Sequence, residues 1–366
     1  MIAQDFIPKS YLNLPESGQH KWAAPSNIAL VKYWGKKKDQ IPENPSVSFT
    51  LKHCKTITSI SYSKKKSSEG FSFDVFLDGE QKEDFKPKIE TFFERIEVYL
   101  PFLKAYYFKI ETSNTFPHSS GIASSASGMS ALAMCLMSLE RDIIVHSSKD
   151  GKTLDEDYLI KKASFLARLG SGSASRSIEG DLIVWGKHQD IEGSSDLFGV
   201  KYPYPVHGNF KNYQDTILLV DKGEKQVSST VGHNLMHGHP FSERRFEQAH
   251  ENMSKLKAVF ESGDFDAFIS IVESEALTLH AMMMTSMPYF ILMKPNTLEI
   301  INAIWKFREN TNSKVCFTLD AGANVHVLYP EKEKENVLRF IKENLVVYCQ
   351  NGHYISDEIG FGAQPL

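Results

Sequence analysis

Apolar residues along this chain fall into short β-rich runs and longer helical stripes, and the two kinds alternate. Runs at 27–32, 46–51, 56–62 and 71–77, the last closed by Asp78-Gly79, predict strands. A helical period covers 85–99 and a strand 105–111. A stretch of small and hydroxylated residues, SSGIASSASGMSALA at 119–133, then turns into a helix whose apolar positions Met129, Leu132, Met134, Leu136 and Leu139 make one buried face. A further helix reads from 155 to 168, ended by Gly170, and DLIVWGK at 181–187 reads as an apolar strand. Residues 188–214 are rich in Gly, Ser, Pro and Tyr without a period, so the domain boundary is expected there. Beyond it come a strand at 215–221, helical stretches at 242–261 and 264–280, a helix at 297–309, strands at 314–319 and 325–329, a helix at 331–343 and a strand at 345–349. That order is a split βαβ pattern with a helical insertion. Residues 1–23, interrupted by Pro8, Pro15 and Gly18, read as a loosely structured lead-in. The expected organisation is α+β, with a lead-in (1–23), an N-terminal mixed half (24–205) and a C-terminal ferredoxin-like half (206–366).

Length agrees, since 366 residues suit two ordinary domains with a cleft between them. The net charge of −4 leaves no basic field for nucleic acid, so any anionic ligand must be met by local cations. Cys54, Cys135, Cys316 and Cys349 stand far apart without metal-ligand spacing, which predicts reduced thiols and a cytoplasmic setting. The N-terminus lacks the apolar core of a signal peptide, and no run approaches the ~18 apolar residues of a membrane span. No membrane partner is expected.

Three stretches can carry chemistry beside the small-residue loop. That loop, running into a helix N-terminus, offers converging N–H groups to phosphate oxygens, and Ser119, Ser120, Ser124 and Ser125 add hydroxyls for phosphate or magnesium. The plain alternative is a Ser/Gly turn before a core helix. The stretch APSNIALVKYWGKKK at 24–38 gathers Lys32, Lys36, Lys37 and Lys38 within seven residues, suiting a diphosphate; solvated lysines after a strand are the alternative. Lys32 stands apart because Val31, Tyr33 and Trp34 flank it. In RLGSGSASRS at 168–177, two glycines and four serines form a loop able to wrap a second anion, with Arg176 as a planar donor. Helix capping accounts for Gly170 but not for the whole run. Asp320, in FTLDAGANVHVLY at 317–329, is either a turn former or a carboxylate at a sheet lip able to orient or deprotonate a hydroxyl. No P-loop string and no HExxH occurs. His233, His237 and His239 read as surface residues, and Met282, Met283, Met284 and Met287 as apolar packing.

Pro117 and residues 119–126 resemble the phosphate loop of the GHMP kinases, the superfamily of galactokinase, homoserine kinase, mevalonate kinase and phosphomevalonate kinase. Within it, NIALVKYWGK, SGSASRS, KQVSST at 225–230 and FTLDAGAN are similar, in the same order and over residues 24–329, to the diphosphomevalonate decarboxylases. The resemblance implies a two-domain GHMP-kinase-like fold and the ATP-dependent conversion of diphosphomevalonate to isopentenyl diphosphate, ADP, phosphate and carbon dioxide, with Mg2+ as cofactor. It implies Asp320, Lys32 and Arg176 as catalytic residues. Tyr33, Trp34, Gly35, Lys36, Lys88, Ser171, Gly172, Ser173, Ala174, Ser175, Arg176 and Thr230 would bind substrate. Ser119, Ser120, Gly121, Ile122, Ala123, Ser124 and Ser125 would cradle ATP, Ser124 also meeting magnesium, and the assembly would be a homodimer. The chain departs from the family pattern at His118 and Ser119, at Ser175 and Ala323, and where Lys86 or Lys88 replaces an arginine before the phosphate loop. A decarboxylase of the monophosphate, a kinase that stops at phosphoryl transfer, and an inactive metabolite binder are the alternatives.

Overall fold

The computed structural model describes every residue except 12, 68, 118–121, 148–153 and 224–228, together with the backbone but not the side chains of Ser229 and Thr230. Two long strands, β1 (Ser17–Val31) and β2 (Ser46–Lys64), pair antiparallel and form the spine of an eight-stranded sheet with β3 (Ser72–Leu77), β4 (Glu80–Gln81), β5 (Tyr106–Asn114), β6 (Leu182–Trp185), β7 (Val200–Lys201) and β12 (Gln364–Pro365). Its main path runs β12-β1-β2-β5-β3-β4, with β6 added to β2 and β7 to β6. The helices α1 (Lys86–Ile96), α2 (Ser124–Ser147) and α3 (Glu156–Gly170) make the second layer, and α2 lies across β1 and β2. Asp155 starts α3 by accepting a hydrogen bond from Tyr158 N at 3.0 Å, a conventional N-cap.

The C-terminal half holds a four-stranded antiparallel sheet of β8 (Gln214–Leu218), β9 (Cys316–Leu319), β10 (Val325–Tyr329) and β11 (Tyr354–Glu358), ordered β11-β8-β10-β9. In strand sequence that is 4-1-3-2, the ferredoxin-like order. Its helices are α4 (Ser229–Asn234), α5 (Ser242–Ser262), α6 (Phe265–Thr285), α7 (Pro295–Thr311) and α8 (Lys334–Phe340). The α5 helix ends on Gly263 and α7 on Asn312, both left-handed (φ 78° and 58°), which closes each last turn. The two sheets are stitched where Asp357 of β11 accepts from the backbone N–H of Lys52, His53 and Cys54 at 2.7–2.9 Å.

Three sequence expectations change. Residues 17–23 are not lead-in but the first half of β1, because their backbone pairs with residues 57–63 of β2 despite Gly18. Before them, Phe6 is fully buried against Phe165 and Phe198. The expected strand at 345–349 is helical: the chain continues from α8 through a wide turn (Ile341–Leu345) and a tight one (Val346–Tyr348), Val347 is exposed, and the fourth strand is β11. Among the described residues, α6 is long and apolar enough to cross a bilayer by length and hydropathy. It packs instead against β1, β9 and α5, and its buried Glu273 and Glu275 each hold an arginine.

Candidate active site

The two sheets meet at a cleft of about 490 Å³ whose walls come from β1 and the turn after it, α1, the start of α2, the loop after α3, α4, and the turn after β9. Lys32 follows β1 directly. A register shift between Ala29 and Val31 turns the chain out of the ladder there, so the side chain crosses to the C-terminal half and its Nζ lies 3.0 Å from Asp320 Oδ1. Lys32 is 2 % exposed, and burial lowers its pKa below that of an ordinary lysine; Asp320 and then Glu275 act to raise it, and Arg176 to lower it.

Arg176 enters from the loop after α3. That loop is pinned from three sides: Asn27 Nδ2 donates to Ser173 O and Ser177 Oγ, Ser130 Oγ to Ala174 O, and Ser164 Oγ to Ser175 O. Arg176 Nε donates to Ser48 Oγ and Nη1 to Ser46 Oγ, both at 2.7 Å, and the guanidinium lies 5.6 Å from the centre of the Trp185 ring. Burial pushes its pKa down to about 10, so it stays charged at neutral pH. Gly172 is needed for this packing, since a Cβ there would sit 2.9 Å from both Trp185 and the Tyr33 hydroxyl. Ser171, Gly172, Ser173 and Arg176 line the cleft. Ala174 and Ser175 are buried behind it, and the Ser175 hydroxyl donates to Gly172 O.

The turn after β1 presents Tyr33, Trp34 and Lys36. Gly35 holds φ 96° there and donates its N–H to His233 Nδ1 at 3.0 Å. Lys37 and Lys38 face outward, and Lys37 pairs with Glu43 at 3.5 Å, so the four-lysine cluster contributes two cations to the cleft rather than four. Helix α1 supplies another face, with Lys88, Thr91, Phe92 and Arg95 along one stripe. Lys86 is committed to Asp74 and Glu83 on the other side, both at 3.0 Å. Arg95 is a lining cation that the sequence analysis did not single out.

Of the small-residue loop, Ser119, Ser120 and Gly121 lie outside the described residues, as does the Thr230 side chain. Ile122 is buried, its carbonyl accepting from Ser26 Oγ at 2.6 Å, while Ala123 and Ser125 line the cleft. Ser125 Oγ is 3.3 Å from Ser171 Oγ, which brings the two small-residue loops together. Ser124 faces an adjoining cavity of about 280 Å³ that shares Lys88 and Ser125 with the cleft and has Val75, Leu77 and Ile110 on its wall. Among the described residues no group of three or more His, Cys, Asp or Glu side chains could hold a metal. A magnesium ion here would be held chiefly by ligand phosphates and waters rather than by a cage of protein side chains, as that ion often is.

The histidine reading is corrected. His237 is exposed, but His239 is buried with Nε2 bonded to Met282 O, and His233 is buried in the cleft wall. The His233 ring lies 4.3 Å from that of Tyr33 and 4.5 Å from that of Trp34, and burial, with Lys36 and Arg176 nearby, pushes its pKa down to about 3. It is a neutral ring whose Nδ1 accepts from Gly35. Nothing in the local sequence signals this, because its partners lie about two hundred residues away in the chain. Met282 and Met283 do pack, with Trp34, Met236 and Leu279, whereas Met284 and Met287 are exposed.

A family model described as the diphosphomevalonate decarboxylase-like N-terminal domain matches residues 24–197, and one described as the mevalonate 5-diphosphate decarboxylase C-terminal domain matches residues 216–359. The diphosphomevalonate decarboxylase of Gibberella zeae is 29% identical over 332 residues, 86% of this chain and 82% of its own. The mevalonate diphosphate decarboxylase of Staphylococcus aureus superposes with a TM-score of 0.79 at 28% identity, over 96% of this chain and 98% of that one. A protein designated MDDEF, solved in complex with MVAPP, AMPPCP and magnesium, also gives a TM-score of 0.79, at 27% identity over 96% of this chain and 99% of its own. With both halves matched in order and the α+β architecture shared almost end to end, the chain belongs to the diphosphomevalonate decarboxylase family.

Proposed function

We propose that this chain catalyses the ATP-dependent decarboxylation of (R)-5-diphosphomevalonate to isopentenyl diphosphate, releasing ADP, phosphate and carbon dioxide. The observation that carries this reading is the pairing of buried Lys32 with partly exposed Asp320, 3.0 Å apart, opening into the same cleft as Arg176 and the start of α2. A tertiary hydroxyl is a poor leaving group, so ATP first phosphorylates it. Departure of that phosphate leaves an electron-poor carbon, and the C–C bond to the carboxylate supplies the pair that forms the alkene as carbon dioxide departs. Asp320 orients the hydroxyl and takes its proton. Lys32 pairs with the Asp320 carboxylate and stabilises the charge that builds during transfer. Arg176, with Ser46 and Ser48 fixing two of its donors, holds the substrate carboxylate. Lys36, Lys88 and Arg95 face the diphosphate, while Tyr33, Trp34 and residues 171–173 shape its seat.

The first turn of α2 presents N–H groups outside the helix ladder to the ATP phosphates, and Ser124 and Ser125 add hydroxyls. Magnesium would be carried on those phosphates, with the Ser124 hydroxyl as the side chain that would meet it, and would supply charge neutralisation for phosphoryl transfer. The adjoining cavity, apolar on its Val75 and Ile110 wall, suits the flat face of a nucleobase. The relative solved with MVAPP, AMPPCP and magnesium supports this pairing of ligands. The same reading takes a homodimer as the assembly and the cytoplasm as the compartment. The four cysteines are all free and buried, which suits a reducing setting, and sedimentation at the mass of one 41.4 kDa chain would remove the dimer.

The deciding assay incubates the protein with ATP, magnesium and carboxyl-labelled diphosphomevalonate. Labelled carbon dioxide and free phosphate are expected together, in equal amounts. ADP without carbon dioxide would make the protein a kinase, neither product would make it a binder, and faster turnover of the monophosphate would change the substrate. A pH profile tests the pair itself. Because burial lowers the Lys32 pKa below 10.5, the ammonium is lost as pH rises through that lowered value, so kcat/KM should fall on an alkaline limb below the ordinary lysine range. A flat profile up to pH 10.5 would remove Lys32 from the reacting groups.

A further inference from the structure

β1 ends at Val31, and the register shift beside it takes the Lys32 peptide out of the sheet while leaving it buried. Buried backbone groups need partners. Here two of the three partners are side chains of the other half of the molecule, and Asn44 is the third. The Lys32 N–H donates to Glu275 Oε2 at 2.9 Å, and the Lys32 carbonyl accepts from Arg245 Nη2 at 3.1 Å and from Asn44 Nδ2 at 2.9 Å. Glu275 and Arg245 have fully buried side chains and close on each other through two bonds, Nη2 to Oε2 at 2.5 Å and Nη1 to Oε1 at 3.1 Å, with Asn252 Nδ2 2.7 Å from Oε1. Five residues further along α6, His280 bonds through Nε2 to the Asp320 carbonyl at 3.1 Å. A carbonyl can only accept, so Nε2 carries the proton, and burial, pushing the ring's pKa down to about 4, keeps His280 neutral. One helix, packed against both β1 and β9, thus touches the backbone of both members of the Lys32–Asp320 pair.

We propose that Glu275, Arg245 and His280 are positioning residues: α5 and α6 grip Lys32 and Asp320 by their backbones and set the separation of the two reacting side chains across the cleft. This rests on the reading of Lys32 and Asp320 as the acting pair. A buried ion pair contributes little net stability compared with apolar groups of the same shape, whereas removing one member strands the other. Two charges enclosed here and bonded to the N–H and carbonyl of one residue therefore point to geometry rather than to folding energy. Lys32 and Asp320 come from different sheets, and a displacement of about 1 Å between reacting groups costs on the order of a hundredfold in rate.

Three sets of variants test this, each compared with Asp320→Asn. Glu275→Gln keeps an acceptor for the Lys32 N–H but loses the charge. The double variant Arg245→Met with Glu275→Leu removes the pair without stranding either charge. His280→Gln can still donate to the Asp320 carbonyl, and His280→Phe cannot. Glu275→Gln and the double variant should lower kcat about tenfold to a hundredfold, with KM for ATP and diphosphomevalonate within about twofold. Among the described residues, the charged or titratable groups that bear on Lys32 include Asp320, Glu275, Arg245, Arg176, His280 and Asp215. Losing the Glu275 carboxylate removes an anion that favours the ammonium, so the alkaline limb should also move to lower pH. His280→Phe should lose rate that His280→Gln restores.

Folded Glu275 and Arg245 variants with wild-type kcat and an unmoved limb would overturn the proposal, as would a loss confined to KM. If neither of those variants melts cooperatively, the His280 pair decides, and equal kcat in Phe and Gln overturns it. Wild-type kcat in Asp320→Asn would instead sink the functional reading beneath it.

Discussion

Asp320→Asn is expected to lower kcat by about a hundredfold or more while leaving KM for ATP and diphosphomevalonate nearly unchanged. The substitution keeps the shape of the side chain and an oxygen facing Lys32 Nζ, now at 3.0 Å, and His280 still holds the backbone carbonyl of residue 320. What disappears is the negative charge and the basicity. That loss acts twice. The hydroxyl of the substrate no longer has a group to take its proton, and Lys32, already disfavoured as an ammonium by burial, loses the largest influence holding it charged. The remaining activity should therefore show an alkaline limb at still lower pH. ADP and carbon dioxide should fall together, because phosphoryl transfer precedes bond cleavage. Steady-state rates with titration of each ligand check this, and turnover near wild type would take Asp320 out of the mechanism.

Lys32, Arg176 and Asp320 stand out in the sequence for a local reason, although their roles were implied only by the family resemblance. Lys32 is a charge in an apolar run, Arg176 ends a small-residue loop that no cap explains, and Asp320 closes a strand before a Gly turn, so each breaks its neighbourhood's pattern. Helices were legible where one face is apolar over several turns, as in α1, whose buried stripe is Ile89, Phe92, Phe93 and Ile96. By contrast α2, expected to bury one face, is buried nearly all round from Ala126 to Glu140. The residues that support the site were not legible, because their meaning lies in distant contacts. Glu275 meets Lys32 across 243 positions, and Ser46 and Ser48 meet Arg176 across about 130. On its own helix Glu275 follows Glu273 and Ser274 and nothing marks it out, and Ser46 and Ser48 are ordinary members of a strand. The same cause explains the two misread segments. Residues 17–23 have little strand signal of their own and become β1 because β2 offers its backbone, a tertiary effect that outweighs propensity. The apolar run at 345–349 has strong strand residues, yet it continues the turns leaving α8, and the less apolar YISDE segment pairs with β8 in its place.

Arg176→Lys keeps a positive charge and should nevertheless cost about a hundredfold to a thousandfold in carbon dioxide release, the scale of losing one fixed donor to a developing charge. The reason lies in how many groups one guanidinium serves here. Nε and Nη1 are taken by Ser48 and Ser46, the plane lies over Trp185, and the rest of the fork is left for a carboxylate. An ammonium has no plane to lay over the indole and no fixed fork to divide among two hydroxyls and a carboxylate. Either the buried serines lose their partner or the substrate does. On the proposed roles, phosphoryl transfer rests on Asp320, Lys32 and the α2 end of the cleft, so it should suffer less, and ADP should accumulate ahead of carbon dioxide where the wild type is expected to release them one to one. Ser46→Ala with Ser48→Ala should give a milder form of the same imbalance, since the guanidinium survives but is no longer aimed. A slow Arg176→Lys enzyme that still releases ADP and carbon dioxide in equal amounts would place Arg176 at the phosphoryl step and take the carboxylate away from it.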